Sequence, residues 1–456
     1  MILAAVLFLA ALAAALRYGR PALRALVAAA IVLSPLRGGL LALAEDVSLP
    51  DSSIAVNAIV PALVAAIAVG VLVKLRPRPE DFPRPLLVGW GLIALVAVLA
   101  FPFQTTGLKL YGIGLAQYLV YPTLAVAIWP LLRPGDVRRL VYLVCGTGAF
   151  VAATVLVQQA GIESFIQAAT AEVDGFAANR YAGITGSYLH TSAYLGVASV
   201  LAMGVLLRMR SARGTVGGAL LLAAILSGQV LTYSRSGVVI AAIGAASLFA
   251  IAAAGARLRF AAAVIPAAAI ALAVGSLGGV APNEAGNRVT SVVSPTNDPG
   301  NERRLESIDE GFMRYENAAF VNKVLGEGLS GTGNARKLVD KPVIATESYY
   351  LKLLLETGVV GALLVGGFFV WAGVAFGRLL LRGGGRPLAA SIGAAGLGLS
   401  LYNVVYPALE TQILALAWWL LLVLCLNCRS AGDEEPAPPA TGGAARESAP
   451  VGNAGA

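Results

Sequence analysis

Long apolar runs separated by short polar breaks cover most of this chain. Runs of about 17–25 residues match the length a helix needs to cross a bilayer. Spans are placed at 1–16, 22–44, 53–75, 85–103, 109–132, 138–160, 186–208, 214–232, 236–255, 258–278, 348–377, 387–405 and 409–427. The pattern predicts about thirteen transmembrane helices, with about twelve to fourteen as the bounds. The first is short, and Pro35-Leu-Arg-Gly-Gly39 interrupts the second. The first apolar run starts at Met1 with no basic stretch before it, so it reads as a helix rather than a cleaved signal.

Four segments follow: helices over 1–278, a large polar loop over 279–347, helices over 348–428 and a tail over 429–456. The tail is rich in Gly, Ala, Pro and Glu and cannot build a core. Within the loop, Leu305, Ile308, Phe312, Tyr315 and Ala319 recur at helical spacing between charged residues. That pattern predicts an amphipathic helix lying on the bundle or on the outer leaflet. Lys/Arg and Asp/Glu nearly balance across the loop, so it is no simple basic patch.

Composition supports the membrane class. Hydrophobic residues make up 58% and charged residues 13% of 456 positions, whereas a soluble domain is about 25% charged. The formal net charge of +8 follows from where the arginines lie. Every second loop is basic: Arg17, Arg20 and Arg24; Lys74, Arg76, Arg78 and Arg84; Arg133, Arg138 and Arg139; Arg208, Arg210 and Arg213; Arg257 and Arg259; Arg378, Arg382 and Arg386. The positive-inside bias makes these loops cytoplasmic and places 279–347 outside. It also accounts for the charge without a nucleic-acid partner. Cys425 and Cys428 have C-x-x-C spacing but no second pair or histidine cluster, which favours a structural role.

The candidate chemistry gathers at the outer side. Arg235, in Leu231-Thr-Tyr-Ser-Arg-Ser-Gly237, stands where two helices leave almost no loop. It reads either as an arginine snorkelling at a helix end or as one that binds an anion. Arg180 follows Asn179 and precedes Gly183 and Gly186, glycines that permit a close ligand approach. Two arginines can grip a diphosphate through bidentate hydrogen bonds. Glu347 opens the eleventh helix with Thr346 as N-cap. It reads as a first-turn acid favoured by the dipole or as a base that takes a proton from a hydroxyl. Tyr349 could stack on a sugar or anchor the interface. Lys352 and Glu356 are spaced to pair on one helix face, and Arg37 is a weaker intramembrane candidate. His190, the only histidine, reads as a base or as a hydrogen-bonded packing residue.

These residues carry a resemblance. Asn179-Arg-Tyr-Ala-Gly183 with Gly186-Ser-Tyr-Leu-His-Thr-Ser-Ala-Tyr-Leu195, then Leu231-Thr-Tyr-Ser-Arg-Ser-Gly237, resemble successive blocks of the O-antigen polymerase/ligase superfamily. Arg304 with Leu325-Gly-Glu-Gly328 resembles its outer-loop block. Thr346-Glu-Ser-Tyr-Tyr-Leu and Glu356-Thr-Gly-Val-Val-Gly361 resemble its last. No one block is specific; their order around one long outer loop is. The resemblance implies a GT-C-like, metal-independent glycosyltransferase with no cofactor, in the bacterial inner membrane with its site facing the periplasm. It implies an undecaprenyl-diphosphate-linked glycan as donor and acceptor, and a chain-length regulator as a further partner. It assigns Glu347 to catalysis, Arg180 and Arg235 to the diphosphates, and Arg304 and Arg288 to support. Ligases usually carry a histidine at the position of Glu347, so the resemblance is closer to a Wzy-type polysaccharide polymerase. Alternatives are a ligase that moves the glycan to lipid A core, and a flippase for a lipid-linked glycan. A flippase tends to show charges near the bilayer midplane and inverted repeats, whereas this sequence shows charges at one face and no visible repeat.

Overall fold

The computed structural model describes residues 2–46, 52–102, 107–133, 135–162, 180–209, 211–252, 254–277, 299–333, 336, 344, 346–383 and 386–430. Arg288, Asn179 and the tail beyond 430 lie outside the described residues. The elements are all helical: α1 (Ile2–Tyr18), α2 (Arg20–Leu33), α3 (Arg37–Asp46), α4 (Ser52–Leu75), α5 (Arg84–Leu99), α6 (Leu108–Ile128), α7 (Asp136–Gln159), α8 (Tyr188–Arg208), α9 (Ala212–Leu231), α10 (Arg235–Ile251), α11 (Ala254–Leu277), α12 (Pro299–Asn317), α13 (Phe320–Leu325), α14 (Tyr349–Arg382), α15 (Pro387–Val405) and α16 (Gln412–Ser430). Among the described residues, 9 helices are long and apolar enough to cross a membrane. Four shorter apolar ones, Leu3–Tyr18, Arg84–Leu99, Arg235–Ile251 and Gln412–Cys428, complete the set. This is a multi-pass membrane protein. The interruption expected at Pro35 is a 3-10 turn, Ser34–Leu36, between α2 and α3.

Helix α8 forms the centre, packed against α7, α9, α10 and α15. Apolar side chains gain little from leaving lipid for each other, so close approach of backbones must hold such a bundle. The sequence supplies it with small residues. Gly196 of α8 lies on Gly237 of α10, and Gly204 lies on Ser391 of α15. A Cβ at any of these glycines would overlap its neighbour.

The antiparallel run of helices sorts the loops into two ends. Arg24 donates to the Leu131 carbonyl at 2.6 Å and reaches Asp136 at 3.0 Å. Trp129 donates to the Asp81 carbonyl at 2.9 Å. These bonds join the basic loops. At the other end Gln412 donates to the Asn57 carbonyl at 2.8 Å, and Gly38 lies against Gly186. Arg37 donates to Asn57 Oδ1 at 2.6 Å, so it belongs to this joint.

Helix α14 departs from expectation. The single span expected over 348–377 is two helical pieces, broken at Gly358 (φ 65°, ψ −172°). The half-helix 349–357 folds back along 359–382. Tyr349 packs edge-on to Phe369, with ring centroids 5.5 Å apart, and both Tyr350 and Leu353 meet Gly366. The longer piece still covers about 36 Å, enough to cross the hydrocarbon core.

The loop from α12 to α14 locks onto this half-helix. Its last carbonyls have no intrahelical partner. Glu327 N–H donates to the Leu355 carbonyl at 2.9 Å and Gly328 N–H to that of Glu356 at 3.1 Å. Gly326 (φ 84°) lies on the Glu356–Thr357 peptide, where any Cβ would overlap it. The Leu-Gly-Glu-Gly and Glu-Thr-Gly motifs are thus the two halves of one joint.

Candidate functional site

Glu347 stands just before the half-helix. The N-cap is Ser348, whose side chain accepts from Leu351 N–H. Thr346, expected to cap, has a buried Oγ1 with no hydrogen-bond partner. The cap lies two residues beyond the expected one, so Glu347 is not a first-turn acid. It instead faces Arg304 of α12, 3.7 Å from carboxylate oxygen to Nε. Both side chains are partly open to solvent, at 30% and 42%. Helix α12 reaches this position because Gly311 packs on Leu351, the third residue of the half-helix. The anticipated amphipathic pattern is only partly realised. Ser307 and Gly311 face inward, while Leu305 and Phe312 remain exposed.

Tyr349 requires a correction. It was expected to offer its ring to a sugar, but it is only 6% exposed. Its ring packs edge-on to Phe369 and, with Ser400, Asn403 and Trp418, lines a narrow space between helices. Because the half-helix folds back, this residue faces the core.

Arg180 reaches the Tyr188 hydroxyl at 3.0 Å, and its guanidinium lies 4.9 Å from that ring's centroid. The nearby glycines have a packing reason. Gly183 (φ 56°) donates its N–H to Gln158 Oε1 at 2.8 Å, and a Cβ there would strike Thr154 and Val155 of α7. Gly186 (φ 76°) makes the contact with α3. They seat the segment that carries Arg180 rather than admit a ligand to it.

Arg235 is the first residue of α10 and is half-buried. Its neighbouring hydroxyls are spoken for. Ser192 donates to the Ser234 carbonyl at 3.0 Å and accepts from Gly237 N–H at 3.1 Å. Ser234 and Ser236 bond each other at 2.9 Å. The block therefore fixes the start of α10 against α8 and places Arg235 at that joint.

His190 Nε2 lies 3.0 Å from the Tyr406 hydroxyl. Burial, with Tyr402, Glu410 and Glu347 around it, pushes the Tyr406 phenol well above its usual range, so it stays protonated. Tyr402 and Tyr406 stack at 5.2 Å at the end of α15. The Tyr402 hydroxyl is buried and has no hydrogen-bond partner among the described residues. This tyrosine pair is the hub of the site, and the sequence reading missed it. The one signal was the i, i+4 spacing at a helix end, which interface aromatics also show.

Behind the hub lies a buried charge network. Lys352 (1% exposed) pairs with Glu356 (0%) and lies 3.9 Å from Glu410. Glu356 also accepts from Tyr118 at 3.0 Å, from Thr332 N–H at 3.1 Å and from Thr332 Oγ1 at 2.9 Å. Lys352 donates to the Thr332 carbonyl at 3.2 Å. The pairing read from the sequence is therefore present, and its partners Tyr118, Thr332 and Glu410 come from three separate segments.

The structure thus brings Glu347 to Arg304, Arg180 to Tyr188, and His190 to Tyr406, which stacks on Tyr402. The arrangement offers a carboxylate at an opening beside cationic side chains, able to accept a proton and to hold an anion. No family model matches the chain, and no curated protein is similar to it.

Proposed function

We propose that this protein is a glycosyltransferase that joins lipid-linked repeat units into a surface polysaccharide. The observation that carries the reading is the Glu347–Arg304 pair, a carboxylate facing a guanidinium with both side chains partly open to solvent. It stands at the end of the bundle that also holds Arg180, His190 and Arg235. In this reading Glu347 takes the proton from an acceptor hydroxyl. The hydroxyl oxygen attacks the anomeric carbon of the donor glycan, and undecaprenyl diphosphate leaves. Arg180 and Arg235 stabilise the departing diphosphate through charge-assisted hydrogen bonds. Arg304 orients the Glu347 carboxylate, and His190 with Tyr406 lines the acceptor side. The resemblance of the motif blocks supports the same assignment, as does the outer placement given by the arginine bias. A GT-C-like fold and a polymerase rather than ligase outcome belong to this proposal.

Purified protein in lipid nanodiscs, given one synthetic lipid-linked repeat, should produce a ladder of longer products. Transfer of a single glycan to a lipid A core acceptor without a ladder would instead identify a ligase.

A second reading has its own support. Broken helices and buried charges are features of transporters, and the break at Gly358 with the Lys352–Glu356–Glu410 network supplies both. Movement of a fluorescent lipid-linked glycan across proteoliposomes, with no ladder, would favour that reading.

A further inference from the structure

The Lys352–Glu356 pair is too deeply buried to touch a substrate, at 1% and 0% exposure. A buried ion pair is poor evidence of stability, because apolar residues of the same volume often serve as well. What this pair joins is more informative. Glu356 holds Thr332, at the end of the strap 325–333, by both backbone and side chain. Lys352 takes the Thr332 carbonyl. Gly333, next along, lies directly under the Glu410 carboxylate. At its other end the strap is bonded to the half-helix through Glu327 and Gly328.

The strap in turn fixes α12. Arg314 of α12 grips Glu327 through two nitrogens, at 2.6 and 3.1 Å. Helix α12 carries Arg304, and the half-helix carries Glu347 at its start. Helix, strap and half-helix therefore close a triangle, and the Arg304–Glu347 contact is the side left open to solvent.

We propose that Lys352 and Glu356 are positioning residues: their buried ion pair locks the strap 325–333 to the half-helix 349–357 and so holds Arg304 opposite Glu347. The consequence for activity rests on the glycan-transfer reading; the geometric claim does not. Removing the lock frees the strap and α12 with it, while the transmembrane helices keep their packing.

The test joins Lys352→Met with Glu356→Leu, which removes the ion pair as a unit rather than leaving one of its two members buried alone. In a background without Cys145, Cys425 and Cys428, cysteines replace Arg304 and Glu347, and a short bis-maleimide links them in nanodiscs. The double variant should cross-link several-fold more slowly than the parent while its melting temperature stays the same. In the chain with Arg304 and Glu347 intact, ladder turnover should fall about a hundredfold, the scale of a small misplacement of reacting groups, while donor KM is unchanged. An unchanged cross-linking rate overturns the proposal. Slower cross-linking in a protein that makes no ladder even with Lys352 and Glu356 in place would sustain the lock and reject the glycan-transfer reading. If the double variant does not fold, Thr332→Val and Arg314→Ala cut the strap at either end. Parental cross-linking in both would overturn the proposal equally.

Discussion

Tyr349 and Phe369 lie on the two pieces of α14, on either side of Gly358, yet their ring centroids are 5.5 Å apart. A continuous helix would separate them by about 30 Å. Gly358 closes that gap by reversing the chain, and the reversal turns Tyr349 inward while leaving Glu347 at the opening. The location of the proposed chemistry therefore depends on one backbone angle.

Replacing Gly358 tests that dependence. At φ 65° a Cβ is strained, and here it would also overlap the Val324 carbonyl group. Left-handed backbone costs a non-glycine residue about 1–2 kcal/mol, and the overlap adds to it. Gly358→Ala should lower the thermal midpoint in detergent by several degrees. Gly373→Ala on the same helix, where a Cβ meets nothing within 4 Å, should leave it unchanged or slightly raised. Equal midpoints for the two variants would remove the argument from backbone strain.

The helix layout was legible because long apolar runs and basic loops repeat many times along the chain, and each repeat reinforces the others. The reversal was not legible. Glu356-Thr-Gly358 lies inside a long apolar run, where a lone glycine reads as a tolerated helix residue. Only its partner shows otherwise, since Gly326 supplies the close approach and Glu327 and Gly328 the donors that a broken helix end needs. The buried network was half legible. The i, i+4 spacing of Lys352 and Glu356 was visible, but Tyr118, Thr332 and Glu410 come from distant segments that no local pattern connects. The placement of Tyr349 failed for the same reason as the span: its orientation follows from the fold-back.

Orientation is open to direct measurement. Asn317, at the exposed end of α12, belongs to the long polar loop before α14, whereas Glu80 lies exposed between basic residues in another loop. In intact spheroplasts, Asn317→Cys should react with a membrane-impermeant maleimide and Glu80→Cys should react only after lysis. The opposite pattern would place the site in the cytoplasm and exclude a periplasmic glycan donor.

Arg235 can be separated from a mere helix anchor by a change that keeps its charge. Lysine retains the cation but loses the planar fork that matches a diphosphate. Arg235→Lys should fold normally, since the contacts of Ser192, Ser234 and Gly237 that fix α10 do not use the guanidinium. Its donor affinity should fall by about tenfold or more, the scale of one lost charge-assisted hydrogen bond. Unchanged donor affinity, measured by titration of the lipid-linked repeat in nanodiscs, would leave Arg235 as an interface anchor.

Glu347 gives the most discriminating variant, because its structural contributions are small. It lies outside the first turn, so the helix dipole gives it little. Its pair with Arg304 is half-exposed, and such pairs contribute about 0–1 kcal/mol. The Ser348 cap, which starts the half-helix, is unaffected. Glu347→Gln should therefore melt close to the parent. The amide keeps the size and can still accept a hydrogen bond from Arg304, but it is far too weak a base to take a proton from an acceptor hydroxyl. Loss of a general base costs about a hundredfold or more in turnover, and donor binding through Arg180 and Arg235 should persist. The two quantities are read together, ladder formation with one synthetic repeat and binding of the same lipid donor. A Glu347→Gln protein that binds donor and extends it at the parental rate would end the base assignment. His190 would be the next candidate, since it stands 3.0 Å from Tyr406 on the same hub.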